Sequence, residues 1–207
     1  MSGTRGRTGR IVVSNVDGVG ISRMRARKAN RIATPKQQLV KDRFNFASRF
    51  IQGYKTLVKS YYGKRNGLKS PFNQAMGNLL QAMPCDMNLL EFTINYDMIQ
   101  FTKGNLLEPQ PLNAASDDPL TITINWVNNA IDESDQNDTL VVLYAEDGKD
   151  KPQSNLIQTT VKRTAETHQA QLLPKFQGMS VHVWISFISE LKQESASSVY
   201  IGKVVVS

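Results

Sequence analysis

The sequence LTITINW, residues 120–126, alternates apolar and polar side chains and ends on a tryptophan. A strand places every second side chain on the same face. The apolar face of this strand would carry Leu120, Ile122, Ile124 and Trp126. The next apolar run, TLVVLYA at 139–145, predicts a second strand that ends before Asp147 and Gly148. The chain around these runs is therefore predicted to be a β-structure.

Other segments of the same half have strand character. The predicted strands are 106–112, 155–163, 168–173, 180–188 and 199–206, with 90–96 and 98–101 as strands that link this part to the preceding one. About seven short strands at this spacing predict an all-β sandwich over residues 105–207. Trp126 ends the second strand, after a first segment that contains proline, and this resembles the fibronectin type III (immunoglobulin-like) layout. That resemblance implies a tryptophan packed between two sheets.

Helical periodicity precedes the strands and defines a segment at 34–104, which includes the linking strands. Thr34, Pro35 and Gln37 predict a capped helix start, and the helix should run over 35–62 and stop at Gly63 or Gly67. Its predicted apolar stripe contains Val40, Phe44, Ala47, Ile51, Tyr54, Val58 and Tyr61, with Leu39, Phe46, Phe50 and Leu57 beside it.

A second helix is predicted from Pro71 to Met83, with Ser70 as its cap and Pro84 as its end. The stripe of the first helix would pack against this second helix in an intramolecular core, or form a seam with another subunit. The fold class is therefore predicted to be α+β, with an extended basic arm, a two-helix segment and a C-terminal sandwich.

Charge is divided between two parts of the chain. Residues 1–69 contain seventeen Lys and Arg and two acids, a net charge of +15, whereas residues 70–207 contain eight Lys and Arg and sixteen acids, a net charge of −8. This division predicts a basic part that docks on a polyanion or an acidic protein surface, joined to an acidic folded part. A binding or assembly role is favoured over catalysis.

Residues 1–33 are predicted to be an arm. Its first ten residues are too polar to order by themselves, and a hairpin is predicted around the Asp17-Gly18 turn. The predicted partner-binding residues of the arm are Arg5, Arg7, Arg10, Arg23, Arg25, Arg27, Lys28 and Arg31. The polar face of the first helix adds Lys41, Arg49, Lys55 and Lys59. The absence of aromatics before Phe44 argues against base stacking by the arm.

Motifs for catalysis, cofactors and metals are absent from the sequence. There is no phosphate-binding glycine loop, no dinucleotide pattern and no Cys/His spacing for a metal. The acidic run at 132–135 lacks the ligand order of a calcium loop. His168 and His182 are predicted to be surface or filler residues, and the single Cys85 suits a reducing compartment. We expect no catalytic residue, no metal and no cofactor.

The assembled motifs resemble a family of uncharacterised proteins from Bacteroidota and their phages. The resemblance covers nearly the whole chain and depends on four motifs. These are Thr34-Pro35-x-Gln37 with Phe44, Pro71-Phe72-Asn73-x-Ala75-Met76, Asn95-Tyr96-Asp97 with Lys103-Gly104-Asn105-Leu106, and Ser198-Val199-Tyr200-Ile201-Gly202-Lys203-Val204. The resemblance implies a basic arm, a helical segment and a fibronectin-like end, and it implies no catalytic residue.

These features predict a non-catalytic structural protein of a phage virion or another multi-subunit complex. Its partners would be protein subunits, and it would be oligomeric. The alternative is an accessory protein that binds the nucleic-acid backbone without reading sequence. No apolar run reaches membrane-spanning length and no signal peptide is recognised, so we expect a cytoplasmic or virion location without membrane contact.

Overall fold

The computed structural model describes residues 6–16, 18–26, 32–148 and 153–207. The chain divides into two compact units, an arm unit of residues 1–34 and a C-terminal unit of residues 35–207. The predicted boundary between residues 104 and 105 falls within the C-terminal unit.

The arm unit contains one antiparallel sheet of three strands. Its strands are β1 (Gly6–Thr8), β2 (Ile11–Val16) and β3 (Val19–Met24), in that order. The β2–β3 hairpin confirms the predicted one, and the Oδ1 of Asn15 accepts a hydrogen bond from the amide of Gly18 at 2.8 Å. The expectation that residues 1–10 stay unordered is wrong for Gly6–Thr8, because β2 offers them a pairing edge.

The C-terminal unit begins with a layer of helices, which are α1 (Pro35–Phe50), α2 (Lys55–Tyr61) and α3 (Pro71–Gln81). A 3-10 turn over Ile51–Tyr54 separates α1 from α2. Ser70 caps α3 as predicted, since its hydroxyl accepts a hydrogen bond from the amide of Asn73 at 3.3 Å. The predicted single helix is therefore two helices that follow one another.

Gly53 explains the break in the helical segment. The Ser154 hydroxyl donates a hydrogen bond to the Phe50 carbonyl, and a Cβ built on Gly53 would lie 2.0 Å from the Ser154 carbonyl oxygen. Only a glycine permits this close approach between the helical layer and the sandwich.

Short elements lead from the helices into the sandwich, namely β4 (Cys85–Asp86), β5 (Glu91–Phe92) and a 3-10 turn at Tyr96–Met98. The predicted linking strands at 90–96 and 98–101 are therefore wrong except for β5. Their side chains alternate in polarity, but Phe92, Ile99 and Phe101 are buried as anchors of a loop against the helical core.

Two antiparallel sheets form the sandwich. The three-stranded sheet has the order β10-β7-β6, formed by Thr167–Gln171, Thr121–Val127 and Gln110–Ala115. The second sheet pairs β9 with β8, β8 with β11, and β11 with both β12 and β13. Its strands are β8 (Thr139–Glu146), β9 (Ser154–Lys162), β11 (Ser180–Ser189), β12 (Glu194–Ser195) and β13 (Val199–Val205). A short helix, α4 (Glu133–Gln136), lies between β7 and β8.

The second sheet is buried on both faces, which explains the apolar run in β8. Leu140, Val142 and Tyr144 pack in the core between the two sheets, where Trp126 is also buried. Val141 and Leu143 pack on the opposite face, in a core shared with the helices. The C-terminal unit is thus a three-layer α+β structure, consisting of helices, a five-stranded sheet and a three-stranded sheet.

The predicted apolar stripe is buried at Ala47, Ile51, Tyr54 and Val58, but not at its N-terminal end in α1. Leu39, Phe46 and Phe50 are buried, whereas Val40 and Phe44 are 45% and 50% exposed. Because α1 meets α3 and β5 along one line, the buried line runs through the residues predicted beside the stripe. None of the described helices is long and apolar enough to cross a bilayer.

Candidate interaction surfaces

Strand pairing in the arm sheet brings four of the predicted arginines together. Arg7 and Arg23 both pair with Val12, so the three residues form one row across the sheet. The amide of Arg25 donates a hydrogen bond to the Arg10 carbonyl at 2.7 Å, next to that row. Arg5, Arg27, Lys28 and Arg31 lie outside the described residues. The four described arginines form the basic end of the arm sheet, which we define as Arg7, Arg10, Arg23 and Arg25.

Apolar side chains of the arm sheet are also exposed. Their exposed fractions lie between 40% and 72%, for Ile11, Val16, Val19, Ile21 and Met24. A three-stranded sheet needs a covered apolar face to be stable in water. The arm unit therefore presents an uncovered surface that is both basic and apolar.

The predicted basic residues of the helices do not form a cluster of comparable density. Lys41 and Arg49 are exposed along α1, and Lys55 and Lys59 are exposed one turn apart on α2. Lys55 lies over the ring of Phe72, with its Nζ 5.9 Å from the ring centroid. These side chains are exposed and accessible to a partner, but they are spread along the helices rather than gathered at one place.

The sandwich ends in an acidic surface that sequence reasoning did not single out. We call it the acidic end, and it is formed by the loops at 128–138, 163–166 and 190–194 together with Glu108. Apart from the buried Asp138 and Arg163, seven carboxylates and two lysines lie there: Glu108, Asp132, Glu133, Asp135, Glu166, Glu190, Glu194, Lys162 and Lys192. The signal in the sequence is that the loops at 128–138 and 190–194 are acidic, but only strand pairing shows that these loops share one end.

Two protruding apolar side chains lie among these carboxylates. Ile131 is 82% exposed and Leu191 is 93% exposed. Lys192 and Asp135 form an ion pair at 3.5 Å between the two loops that carry them. The acidic end therefore exposes apolar side chains among carboxylates, whereas the arm sheet exposes apolar side chains together with arginines.

A buried ion pair holds the loops of the acidic end in place. Arg163 and Asp138 are both fully buried and their side chains meet at 3.0 Å. The guanidinium also donates to the Asn129 side chain and the Leu107 carbonyl, and it stacks on the Phe187 ring at 4.0 Å. Burial raises the pKa of the Asp138 carboxyl, and the hydrogen bond from Arg163 opposes this rise. The ion pair therefore holds in position the loops that carry the surface carboxylates.

A second polar cluster lies near the opposite end of the sandwich. The ring nitrogens of His182 lie 2.7 Å from the Tyr200 hydroxyl and 3.1 Å from an Asp147 oxygen. Tyr96 stacks on the His182 ring at 3.5 Å, and Lys203 pairs with Asp147 at 3.0 Å. His182 was predicted to be a surface or filler residue, and the structure instead gives it three specific partners.

The contacts of this cluster fasten the segment around Tyr96 to the sheet, since the Tyr96 ring stacks on His182 and the Tyr96 carbonyl accepts a hydrogen bond from the Trp184 indole at 3.0 Å. Burial lowers the pKa of His182, against the influence of Asp147, and burial raises the pKa of the Tyr200 hydroxyl. Both shifts favour the neutral form of the side chain.

A polar groove of about 310 Å³ lies where α2 meets the sandwich. Its lining includes Tyr61, Lys64, Lys103, Gly104 and Glu194. Gly104 is needed there because a Cβ would lie 2.0 Å from the Ser195 carbonyl oxygen. The groove borders the acidic end on its helical side. Within the described ranges, no group of three or more His, Cys, Asp or Glu side chains could hold a metal.

The fold and these surfaces define an α+β protein with a fibronectin type III-like C-terminal sandwich and a separate basic arm. The chain belongs to the family described as "Family of unknown function (DUF6266)", whose model matches residues 3–202. The expected membership of a family of unknown function is thereby confirmed, while its setting in Bacteroidota and their phages remains a prediction.

Two solved structures to which the chain is similar are fibronectin type III domains. The solution structure of the fn3 domain of human collagen alpha-1(XX) chain is 14% identical, with a TM-score of 0.37, and the match covers 48% of this chain and 85% of that chain. For the fn3 domain of human contactin 1 the values are 10%, 0.34, 51% and 83%. No curated protein matches the chain.

Proposed function

We propose that the protein is a non-catalytic structural subunit that joins a multi-subunit assembly through its arm unit, and that the assembly is a phage virion. The observation that carries this proposal is the arm sheet, with both apolar and arginine side chains exposed. Such a sheet gains stability when a protein surface covers it. The sandwich and its helical layer form the body that the arm would attach.

The alternative is a nucleic-acid-binding accessory protein. The four arginines at one end of the arm sheet favour it, because each could neutralise a phosphate. The exposed Val16, Val19 and Ile21 side chains on the same face of the sheet do not suit a phosphate backbone, and they are not platforms for stacked bases. A protein surface accounts for both the charges and the apolar side chains.

Native mass spectrometry and binding to random duplex DNA separate the two functions. For a structural subunit we expect a defined oligomer, or a fixed copy number in a purified particle, together with poor DNA binding at about 150 mM salt. A protein that stays monomeric, enters no particle and binds random duplex with a steep salt dependence would contradict the proposal.

A further inference from the structure

On the basis of the proposed assembly role, we infer that the arm unit docks on the acidic end of a second copy of this chain. The arm sheet supplies the basic end together with the exposed Val16, Val19 and Ile21 side chains of the same face. The acidic end of the neighbouring copy supplies the carboxylates around Ile131 and Leu191. The contact is therefore one between unlike surfaces of identical chains.

Charge is the first reason for inferring that the partner of the arm unit is a second copy of this chain. Four arginines lie at one end of the arm sheet, and the acidic end carries seven carboxylates but two lysines. Lys64 and Lys103 border it only at the groove. Opposite potentials steer two surfaces together and reject like-charged partners. The acidic end would, for the same reason, repel nucleic acid.

Apolar complementarity is the second reason. Ile131 and Leu191 are among the most exposed large apolar side chains of the described chain, and each has an acidic neighbour in sequence, Asp132 and Glu190. Val19 and Ile21 of the arm are 61% and 41% exposed, and strand alternation places them on the same face as Arg23. A contact that buries both sets adds an apolar centre to the charged rim, which is how stable protein interfaces are built.

The contact is head-to-tail, because its two surfaces are different parts of the chain: the arm sheet of one copy and the acidic end of the next. Repeated head-to-tail contacts between identical chains close into a ring or continue as a filament.

Two charge-reversal variants of the full chain test this contact. The arm variant carries Arg7→Glu and Arg23→Glu, and the end variant carries Glu133→Lys and Glu190→Lys. The matched control carries Asp117→Lys and Asp118→Lys, two exposed residues of the loop between β6 and β7 at the other end of the sandwich. Each is compared with the parent by sedimentation velocity over a range of concentrations, after circular dichroism has shown that it is folded.

We expect the parent and the control to self-associate. The arm variant and the end variant should each lose at least about tenfold in association constant, because like charges then face each other across the contact. Mixed in equal amounts, these two variants should associate again, since each then offers the surface that complements the other. A chain that carries both reversals should also regain self-association.

Several outcomes of these measurements would contradict the inferred contact. If the mixture stays monomeric, or if the control loses association as much as the end variant, the inferred contact is wrong. A parent that is monomeric at all concentrations but enters a particle at fixed copy number overturns the self-docking alone and leaves the proposed function standing. A parent that does neither contradicts both.

Discussion

Gly53 lies at the closest approach between the helical layer and the sandwich, where a methyl group would meet a backbone carbonyl rather than a movable side chain. Gly53→Ala should therefore destabilise the C-terminal unit by about 2 kcal/mol or more. Gly77→Ala is the matched control, because Gly77 lies in α3 with nothing within 4 Å of its added Cβ. That change should be neutral or stabilise by up to about 1 kcal/mol. Urea unfolding of both variants measures the difference.

Arg163 is a second residue on which the sandwich depends. Arg163→Met leaves the Asp138 carboxylate buried without its cation, which should cost about 3–5 kcal/mol. Replacing both partners, by Arg163→Met with Asp138→Leu, should recover much of that loss because no charge is then buried. A double-mutant cycle from urea unfolding gives the coupling free energy. Equal losses in the single and double variants would show that packing of Arg163 on Phe187 matters more than charge.

The two histidines predict how stability depends on pH. Burial lowers the pKa of His168 and of His182 below their usual value of 6.5. The unfolded chain then binds more protons, so the stabilisation is complete above about pH 6.5 and is lost as pH falls below it. We expect the parent to lose more stability between about pH 7.5 and 5.5 than a His168→Gln, His182→Gln variant does. Urea unfolding at the two pH values compares the losses. Equal losses would contradict the prediction.

The helix α1 is the element whose buried face the sequence left most ambiguous. Phe46→Ala should cost about 3–5 kcal/mol, since Phe46 is buried against Phe50 and Phe92. Phe44→Ala should change the free energy of unfolding by less than about 1 kcal/mol, because half of that side chain is already exposed. Urea unfolding of the two variants distinguishes the observed face from the predicted one. The reverse order of effects would restore the predicted stripe.

The sequence predicted the sandwich strands well because their side chains alternate or form unbroken apolar runs, and turn residues separate them. It also predicted the helix starts, since Pro35 and Ser70 with Pro71 are local signals. The buried face at the start of α1 was not predictable, because two adjoining sectors of the helix are apolar and only its neighbours decide which is buried. Linking strands at 90–101 failed for a related reason: alternation also arises where a loop anchors every second side chain.

The candidate surfaces required the fold. The arginines of the arm were predicted as a set, but the row formed by Arg7 and Arg23 depends on the register of β1, β2 and β3. The acidic end was missed because its carboxylates come from loops that are up to about eighty residues apart in sequence. Composition showed that one part of the chain is basic and the other acidic, and strand pairing shows which of the charged residues lie close together.

At the scale of the whole molecule, the division of charge predicts a salt-sensitive assembly. Raising the salt from about 50 mM to 500 mM should weaken self-association, because exposed charges are screened over shorter distances. Replacing Leu191 by Ser should instead weaken association at every salt concentration, since it removes an apolar contact. Sedimentation velocity at the two salt concentrations separates these effects. An association that strengthens with added salt would indicate that apolar contacts dominate.

The burial of β8 on both faces has a consequence for how this protein can change over evolution. In an ordinary two-layer sandwich the outer face of each sheet meets water, so the domain can be duplicated, shuffled or strung into tandem arrays. Here Val141 and Leu143 lie under the helices, and a copy of residues 105–207 without residues 35–104 would uncover an apolar sheet face. The helical layer and the sandwich must therefore be inherited together, as one unit.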